Sequence, residues 1–433
     1  MVRLIKYNYD YMSAARAGKF GFQQQDLAKL GKRIKQINQN LEKKKKMPEL
    51  SFRALPYDLK TALQLTKLAK KLQSQFDGMV VVGIGGSDLG AKALDQALNW
   101  QNKKNLYFTG DTPDPEALYK LLSIINLKKT VFYIVSKSGD TLEPMVDFLF
   151  LRQQVINKVG YKNHKKHFLV TTNTEKGKLL EIAKREGYQL LPHFAGGGRF
   201  SVLSVNGLLP AAWMGLDLKK ILNGAKTIDS LCSKSAWQKN SPFIFAALHY
   251  LGYKKHGQKI AVLMPYLEAL NSFAFWFRQL WAESLGKKYD LNGKVVNIGM
   301  TPIAASGPKD QHSQLQLYNE GYNDKIFTFI EVEKLRADFQ VPLYKNIGLE
   351  FLAKKKYGEI LKIEQQAVAI SLMKNQRANG TIILPQLDEF YLGQIIMFFE
   401  MSVVYLGELL GINVFDQPGV EESKKWMYKM LKK

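Results

Sequence analysis

The sequence predicts an α/β protein: two sandwiches with mostly parallel sheets, flanked by helical N- and C-terminal extensions. Length is the first observation behind this, because 433 residues exceed one ordinary core and call for about two or three domains of ~100–200 residues. Alternation is the second. In "MVVVGIGGSDLGAKALDQAL" (79–98) a β-branched run meets a glycine turn and then a helical stretch. "TVFYIVSKSGDTLEPMVDFLFLRQQV" (130–155) and "HFLVTTNTEKGKLLEIAKREG" (167–187) repeat the plan, which implies βαβ units. The third observation is a second series, "KIAVLMPY" (259–266) before a long aromatic helix to Gly286, then "KIFTFIEV" (325–332) and a helix-rich tail.

Taken in order, residues 1–50 read as a polar N-terminal helical extension, ending in the run Lys43 to Lys46 ahead of Met47 and Pro48. Residues 51–230 form the first α/β domain and 231–410 the second, with a seam near 215–245; residues 411–433 form a C-terminal loop and helix. No repeat with a period of 20–50 residues is apparent. The N-terminal stretch lacks a continuous apolar core of signal-peptide length. "YLGQIIMFFEMSVVYLGELLG" (391–411) is apolar but carries Gln394, Glu400 and Glu408, so it reads as a buried helix and no membrane association is expected. Cys232 is the only cysteine, which excludes an internal disulfide and suits a reducing, cytoplasmic setting. The net charge of +24 raises nucleic acid as a partner. Its lysines are spread along the chain with no nucleic-acid-binding motif, so a solvated surface is expected and no nucleic-acid partner. Such a surface also steers small phosphorylated substrates.

The chemistry concentrates in a few stretches. "GIGGSDLG" (83–90) follows a strand and opens a helix, where amides and the Ser87 hydroxyl could hold an anion. It fits neither a dinucleotide fingerprint, since Asp88 stands at the last glycine position, nor a P-loop, since Ala91-Lys92 follow Gly90. In "SKSGDTLEP" (136–144), Ser136, Ser138 and Thr141 offer hydroxyls, Lys137 a charge, and Gly139 close backbone approach. Asp140, Thr141 or Glu143 could cap the helix that Pro144 begins. Two such loops at the carboxyl ends of strands could converge on one phosphate. "GGGRFSVLSVNGLLP" (196–210) presents Arg199 after three glycines, as suits a phosphate or a developing oxyanion and equally an ordinary surface arginine. "FRQLWAESLGKK" (277–288) puts Gln279 and Glu283 four apart on one helix face among aromatic neighbours, where a carboxylate could serve as general base. "SGPKDQHSQLQLYNEG" (306–321) sets His312 at the expected start of a helix, and "FDQPGVEESKKW" (415–426) puts Lys424 soon after a Pro-Gly turn. His164 and His167 have helical spacing without a further ligand nearby, so no metal site is expected.

Together these stretches, in this order from 83 to 424, closely resemble the glucose-6-phosphate isomerase (phosphoglucose isomerase) family in its shorter bacterial form. "QLWAESLGK" and "FDQPGVE" are the most specific of them. The resemblance implies two sugar-isomerase-type αβα sandwiches and interconversion of glucose 6-phosphate and fructose 6-phosphate without cofactor or metal. By motif position it implies that Ser87, Ser136, Lys137, Ser138 and Thr141 hold the phosphate, and that Gly86, Gln279 and Gln417 help hold the sugar. Glu283 matches the base acting through a cis-enediol(ate), Arg199 the arginine stabilising its charge, and His312 and Lys424 the ring-opening residues. It also implies a homodimer in which His312 reaches the site of the partner subunit. Asp140 stands where a threonine is common in the family, and Pro308-Lys309 replace small residues. Asp140 is therefore expected to turn from the phosphate and cap the following helix. The rivals are a sibling isomerase acting on another phosphosugar and a non-catalytic sugar-phosphate sensor, which could dispense with Glu283, His312 and Lys424.

Overall fold

The computed structural model describes residues 3–44, 47–102, 104–234 and 236–432, so Lys45 and Lys46 of the basic run lie outside the described residues. Two five-stranded sheets organise the chain. The first contains β2 (Gly78–Val82), β3 (Asn105–Thr109), β4 (Thr130–Ser136), β5 (Phe168–Thr172) and β6 (Gln189–Leu191) in the order β3-β2-β4-β5-β6. All its neighbours run parallel, Val82 opposite Ile134 and Ser136 opposite Thr172. Every residue of β4 is buried, because parallel strands are covered on both faces and read as continuous apolar runs.

The second sheet has the order β1-β12-β11-β7-β10, from β1 (Lys6–Asn8), β7 (Ile260–Pro265), β10 (Thr301–Ala304), β11 (Lys325–Lys334) and β12 (Asn379–Gln386). Only β1 is antiparallel, pairing with Thr381–Ile383. This strand corrects the purely helical reading of residues 1–50. Tyr7 points into the core between exposed Lys6 and Asn8, a period of two too short to register in the sequence. The rest of the segment is helical, including Gln24–Gly31 and Ile34–Lys43. A separate hairpin joins β8 (Lys287–Tyr289) and β9 (Val295–Ile298).

Helices connect and cover these sheets: α1 (Leu89–Leu98), α2 (Leu142–Val159) and α3 (Lys178–Glu186) in the first; α4 (Leu218–Cys232) and α5 (Ser241–His256) between the two; α6 (Asn271–Leu285), α7 (Gly307–Gln311) and α8 (Tyr357–Lys374) in the second. The long helix α9 (Glu389–Leu410) packs against α4, α5 and α6 in the largest core cluster. Among the described residues it is the one helix long and apolar enough to cross a membrane, yet 89% of its apolar window is buried inside the protein. Two surface features matter below. Between β11 and α8 the chain exposes Phe339, Leu343, Tyr344, Ile347 and Phe351. The last helix, α10 (Glu421–Leu431), buries none of its residues and is tied to the body by the Tyr428 hydroxyl, which donates to the Asp140 carbonyl.

Candidate active site

Strand order creates the site. β2 and β4 lie side by side, but the chain leaves β2 toward β3 and leaves β4 toward β5, so their carboxyl ends open a crevice. Two loops enter it: the tight turn Gly85–Ser87 after β2, and residues 136–141 after β4. Thr141 occupies the N-cap of α2 without a capping side-chain bond. Its hydroxyl instead lies 3.4 Å from the Ser136 hydroxyl and 3.2 Å from that of Ser138. Lys137 Nζ donates to the Gly196 carbonyl at 3.1 Å. Burial lowers the Lys137 pKa below the ordinary lysine value, and repulsion from Arg199 lowers it further.

Asp140 turns away from this hydroxyl cluster, and its cap is not the one expected. Its carboxylate accepts from the Lys178 backbone N–H at 2.9 Å, at the start of α3 and not α2. The physical reason is that Gly177, the N-cap of α3, has no side chain of its own to satisfy that amide.

Behind the Ser87 turn, Asp88 is buried at the start of α1 and pairs with Lys92 at 2.5 Å, which also reaches Asp111 at 2.7 Å. Burial pushes the Asp88 pKa up to about 6 against the pull of Lys92. The pairing offsets a carboxylate that would otherwise oppose an anion one residue away.

The turn at 198–200 closes the crevice. A Cβ on Gly86 would fall 2.2 Å from the Gly198 carbonyl carbon, so only glycine allows the two backbones to touch. The Ser201 hydroxyl fastens them by donating to the Gly86 carbonyl at 2.9 Å. Arg199 is thereby driven inward, with 2% of its surface exposed. Its Nε donates to the Ser284 hydroxyl at 2.7 Å; Nη1 donates to Glu283 at 3.1 Å and to the Gln417 amide oxygen at 3.0 Å. Nη2 donates to the carbonyls of Val414 at 2.5 Å and Asp416 at 3.2 Å. Burial lowers the Arg199 pKa, with Glu283 opposing that shift.

Gln279 and Glu283 share a face of α6, as their spacing predicts, and Gln279 Nε2 donates to Glu283 Oε1 at 3.0 Å. The Gln279 amide also abuts Gly85, where an added Cβ would come within 2.7 Å of Nε2. The carboxylate therefore receives a donor on each oxygen while about a third of its side chain stays open to solvent. A cleft of about 430 Å³ lies alongside, lined by Glu49, Lys137, Gly197, Phe415, Gln417 and Glu421. Such a set offers hydroxyls and a cation that could hold an anion at one end and, at the other, a carboxylate backed by a guanidinium that could act as a base. Among the described residues no group of three or more His, Cys, Asp or Glu side chains could hold a metal ion.

The structure thus brings together the sequence candidates Gly86, Ser87, Ser136, Lys137, Ser138, Thr141, Arg199, Gln279, Glu283 and Gln417. His312 and Lys424 are not joined to the Glu283 cluster. The helix expected to begin at His312 begins three residues later and runs Leu315–Glu320, so His312 lies in the turn after α7, which has Pro308 in its first turn and is fixed by Asp310 accepting from the Ser306 N–H at 2.6 Å. His312 follows the last residue of α7 with its backbone N–H donating to the Lys309 carbonyl at 3.2 Å, while its exposed imidazole has no hydrogen bond among the described residues. Lys424 is exposed on α10 and pairs with Glu421 at 2.8 Å. Sequence reasoning missed Lys287 and Asp416. Lys287 Nζ donates to the Glu283 carbonyl at 2.8 Å and the Asp416 carbonyl at 2.6 Å. Both stood inside quoted motifs, but nothing in a lysine's own sequence marks it as buried.

Comparisons with known proteins identify the family and the fold. The family model described as phosphoglucose isomerase matches residues 66–433. The chain is 37% identical over 407 residues to the glucose-6-phosphate isomerase of Carboxydothermus hydrogenoformans, covering 90% of this chain and 87% of that one. It is 35% identical over 427 residues to the enzyme of the same name from Methanocaldococcus jannaschii, covering 98% and 99%. A solved structure of a hypothetical protein from Thermus thermophilus superposes with a TM-score of 0.89 at 31% identity, over 99% of this chain and 100% of that one. A glucose-6-phosphate isomerase from Chlamydia trachomatis, at 22% identity, shares the fold with a TM-score of 0.84, over 100% and 89%.

Proposed function

The chain belongs to the phosphoglucose isomerase family, and from that premise we propose how its own residues carry out the reversible isomerisation of D-glucose 6-phosphate and D-fructose 6-phosphate. Ser87, Ser136, Ser138 and Thr141 donate to the phosphate and Lys137 supplies its counter-charge; Gly86, Gln279 and Gln417 hold the sugar. Glu283 removes the proton from C2 of the open-chain aldose and delivers it to C1, and the reverse reaction runs the same path. As the C–H pair moves into the enediolate, charge grows on the substrate oxygen and Arg199 offsets it. The O2 proton passes to O1 as the C=O bond shifts from C1 to C2, so C1 is reduced as C2 is oxidised and the step balances without an external oxidant or reductant.

One observation carries this reading. A buried guanidinium bridges the Glu283 carboxylate and the Gln417 amide, while Gln279 holds the other carboxylate oxygen. A base so held needs no reorganisation before proton transfer. The test is an assay converting fructose 6-phosphate to glucose 6-phosphate, read by a coupled dehydrogenase, on the wild type and on Glu283→Gln. Loss of turnover in the variant supports the assignment, and near-normal turnover overturns it.

The ring-opening roles of His312 and Lys424 belong to the same proposal, as does a homodimer in which His312 of the partner subunit completes each site. What supports the dimer is the exposed imidazole, which has no hydrogen-bond partner among the described residues, together with the apolar side chains exposed between β11 and α8. A cytoplasmic setting is supported by Cys232, a buried free thiol.

A further inference from the structure

We propose that Lys287 is a positioning residue for proton transfer: with Asp416 as counter-ion it clamps the 413–417 loop and so delivers Gln417 to Arg199 and Glu283. The inference rests on the reading of Glu283 as base. Lys287 opens β8, two residues beyond the end of α6, and is 8% exposed. A buried ammonium is costly unless its protons find acceptors. Here they find the Glu283 carbonyl, the Asp416 carbonyl and, at 3.1 Å, the Asp416 carboxylate. Burial lowers the Lys287 pKa, with Asp416 pulling the other way.

The bonds form a pattern that a stray buried lysine would lack. Lys287 and Arg199 converge on one acceptor, the Asp416 carbonyl, at 2.6 and 3.2 Å. Arg199 also holds the Val414 carbonyl and the side chain of Gln417, so two cations take both ends of the loop. Asp416 divides its carboxylate: Oδ1 faces Lys287, and Oδ2 accepts from Asn413 Nδ2 at 3.1 Å. Residues 413–417 lie in neither helix nor strand, so they are fixed by these contacts together with the burial of Val414 in the core, the Phe415 N–H donating to Asn413 Oδ1 and the packing of Phe415 on Phe200. Because Lys287 also grips the backbone carbonyl of Glu283, loop and base are referenced to the same ammonium. The phosphate loops hang from the other sheet and make no bond to Lys287. The clamp therefore acts on turnover and leaves phosphate anchoring alone.

The experiment compares Lys287→Met, Lys287→Arg, Asp416→Ala and the Lys287→Met/Asp416→Ala pair with wild type and with Glu283→Gln, using fructose 6-phosphate. Lys287→Met is expected to lower kcat about tenfold to a hundredfold, the scale of a small misplacement of reacting groups, with KM changed less than about threefold. Lys287→Arg is expected to regain most of that loss. Asp416→Ala, which keeps its carbonyl and is half exposed, loses less, and the double variant falls no further than Lys287→Met because both remove one clamp. A Lys287→Met protein with unchanged kcat, a loss confined to KM, or fully additive variants would each overturn the clamp. Should Lys287→Met fail to fold, full kcat in Asp416→Ala overturns it and a reduced kcat at unchanged KM supports it. An inactive Glu283→Gln beside a normal Lys287→Met sinks the clamp alone, while an active Glu283→Gln sinks the base assignment and the clamp with it.

Discussion

Arg199 and Lys424 are both cations assigned to the same reaction, and their surroundings differ sharply. The arginine is buried, and acceptors from α6 and from the 413–417 loop engage its three guanidinium nitrogens. The lysine stands half exposed on a helix with no buried residue, paired with a carboxylate three positions away. The same contrast separates Glu283, which holds a donor on each oxygen, from His312, whose imidazole has no hydrogen bond among the described residues. On the proposed roles, the groups for proton transfer are already joined within one chain, whereas His312 and Lys424 are not joined to them. A buried, fully bonded group is ready before substrate binds; an exposed one keeps its rotamer freedom and loses it on use.

The largest effect should come from the assembled half. Glu283→Gln keeps the shape and the Gln279 contact but removes the base, and kcat should fall about 10²–10⁴-fold in the coupled assay. The next experiment addresses the unassembled half. Inactive Glu283→Gln and His312→Ala chains, denatured and refolded together, should regain about one quarter of wild-type activity if His312 serves the partner subunit. About half the dimers are then mixed, and each holds one intact site. No recovery would place both groups in one chain and dissolve the contrast. Lys137→Met comes third. Burial and Arg199 lower the pKa of this lysine, so its share of phosphate affinity is present below that lowered value and fades as pH rises through it. The wild-type KM should climb on the alkaline side, and the variant should show a raised KM that lacks this limb. Ser136→Ala removes one hydrogen bond of the loop, which should raise KM about two- to tenfold at nearly constant kcat. Asp140→Thr should be the smallest for the substrate, with KM within about threefold. Its cost of about 1 kcal/mol should appear in denaturant unfolding as the lost cap of α3. A tenfold tightening of phosphate binding would mean the carboxylate faces the anion after all.

Much of the site was legible because its residues lie on short, regular devices. Gln279 and Glu283 needed only the helical period, and the Ser136–Thr141 loop only the passage from an apolar strand to a helix start. Asp140 was half legible. An acid among phosphate donors has to turn aside, but the amide it serves belongs to a helix nearly forty residues on, chosen because Gly177 cannot cap it. The strand Lys6–Asn8 escaped notice because three residues carry too little periodicity, and its partner lies at the far end of the chain.

By itself the sequence determined the alternation of strands and helices, the glycines that let the loops approach, and the chemical types gathered at each turn. These follow from local periodicity and from what a side chain does to its own backbone. Only the tertiary structure decided which cations are buried. Lys287 and Lys288 are adjacent and identical in type, yet one is sealed against Glu283 and Asp416 while the other is left outside. Burial depends on what the rest of the fold lays over a residue, and no stretch of its own neighbours records that.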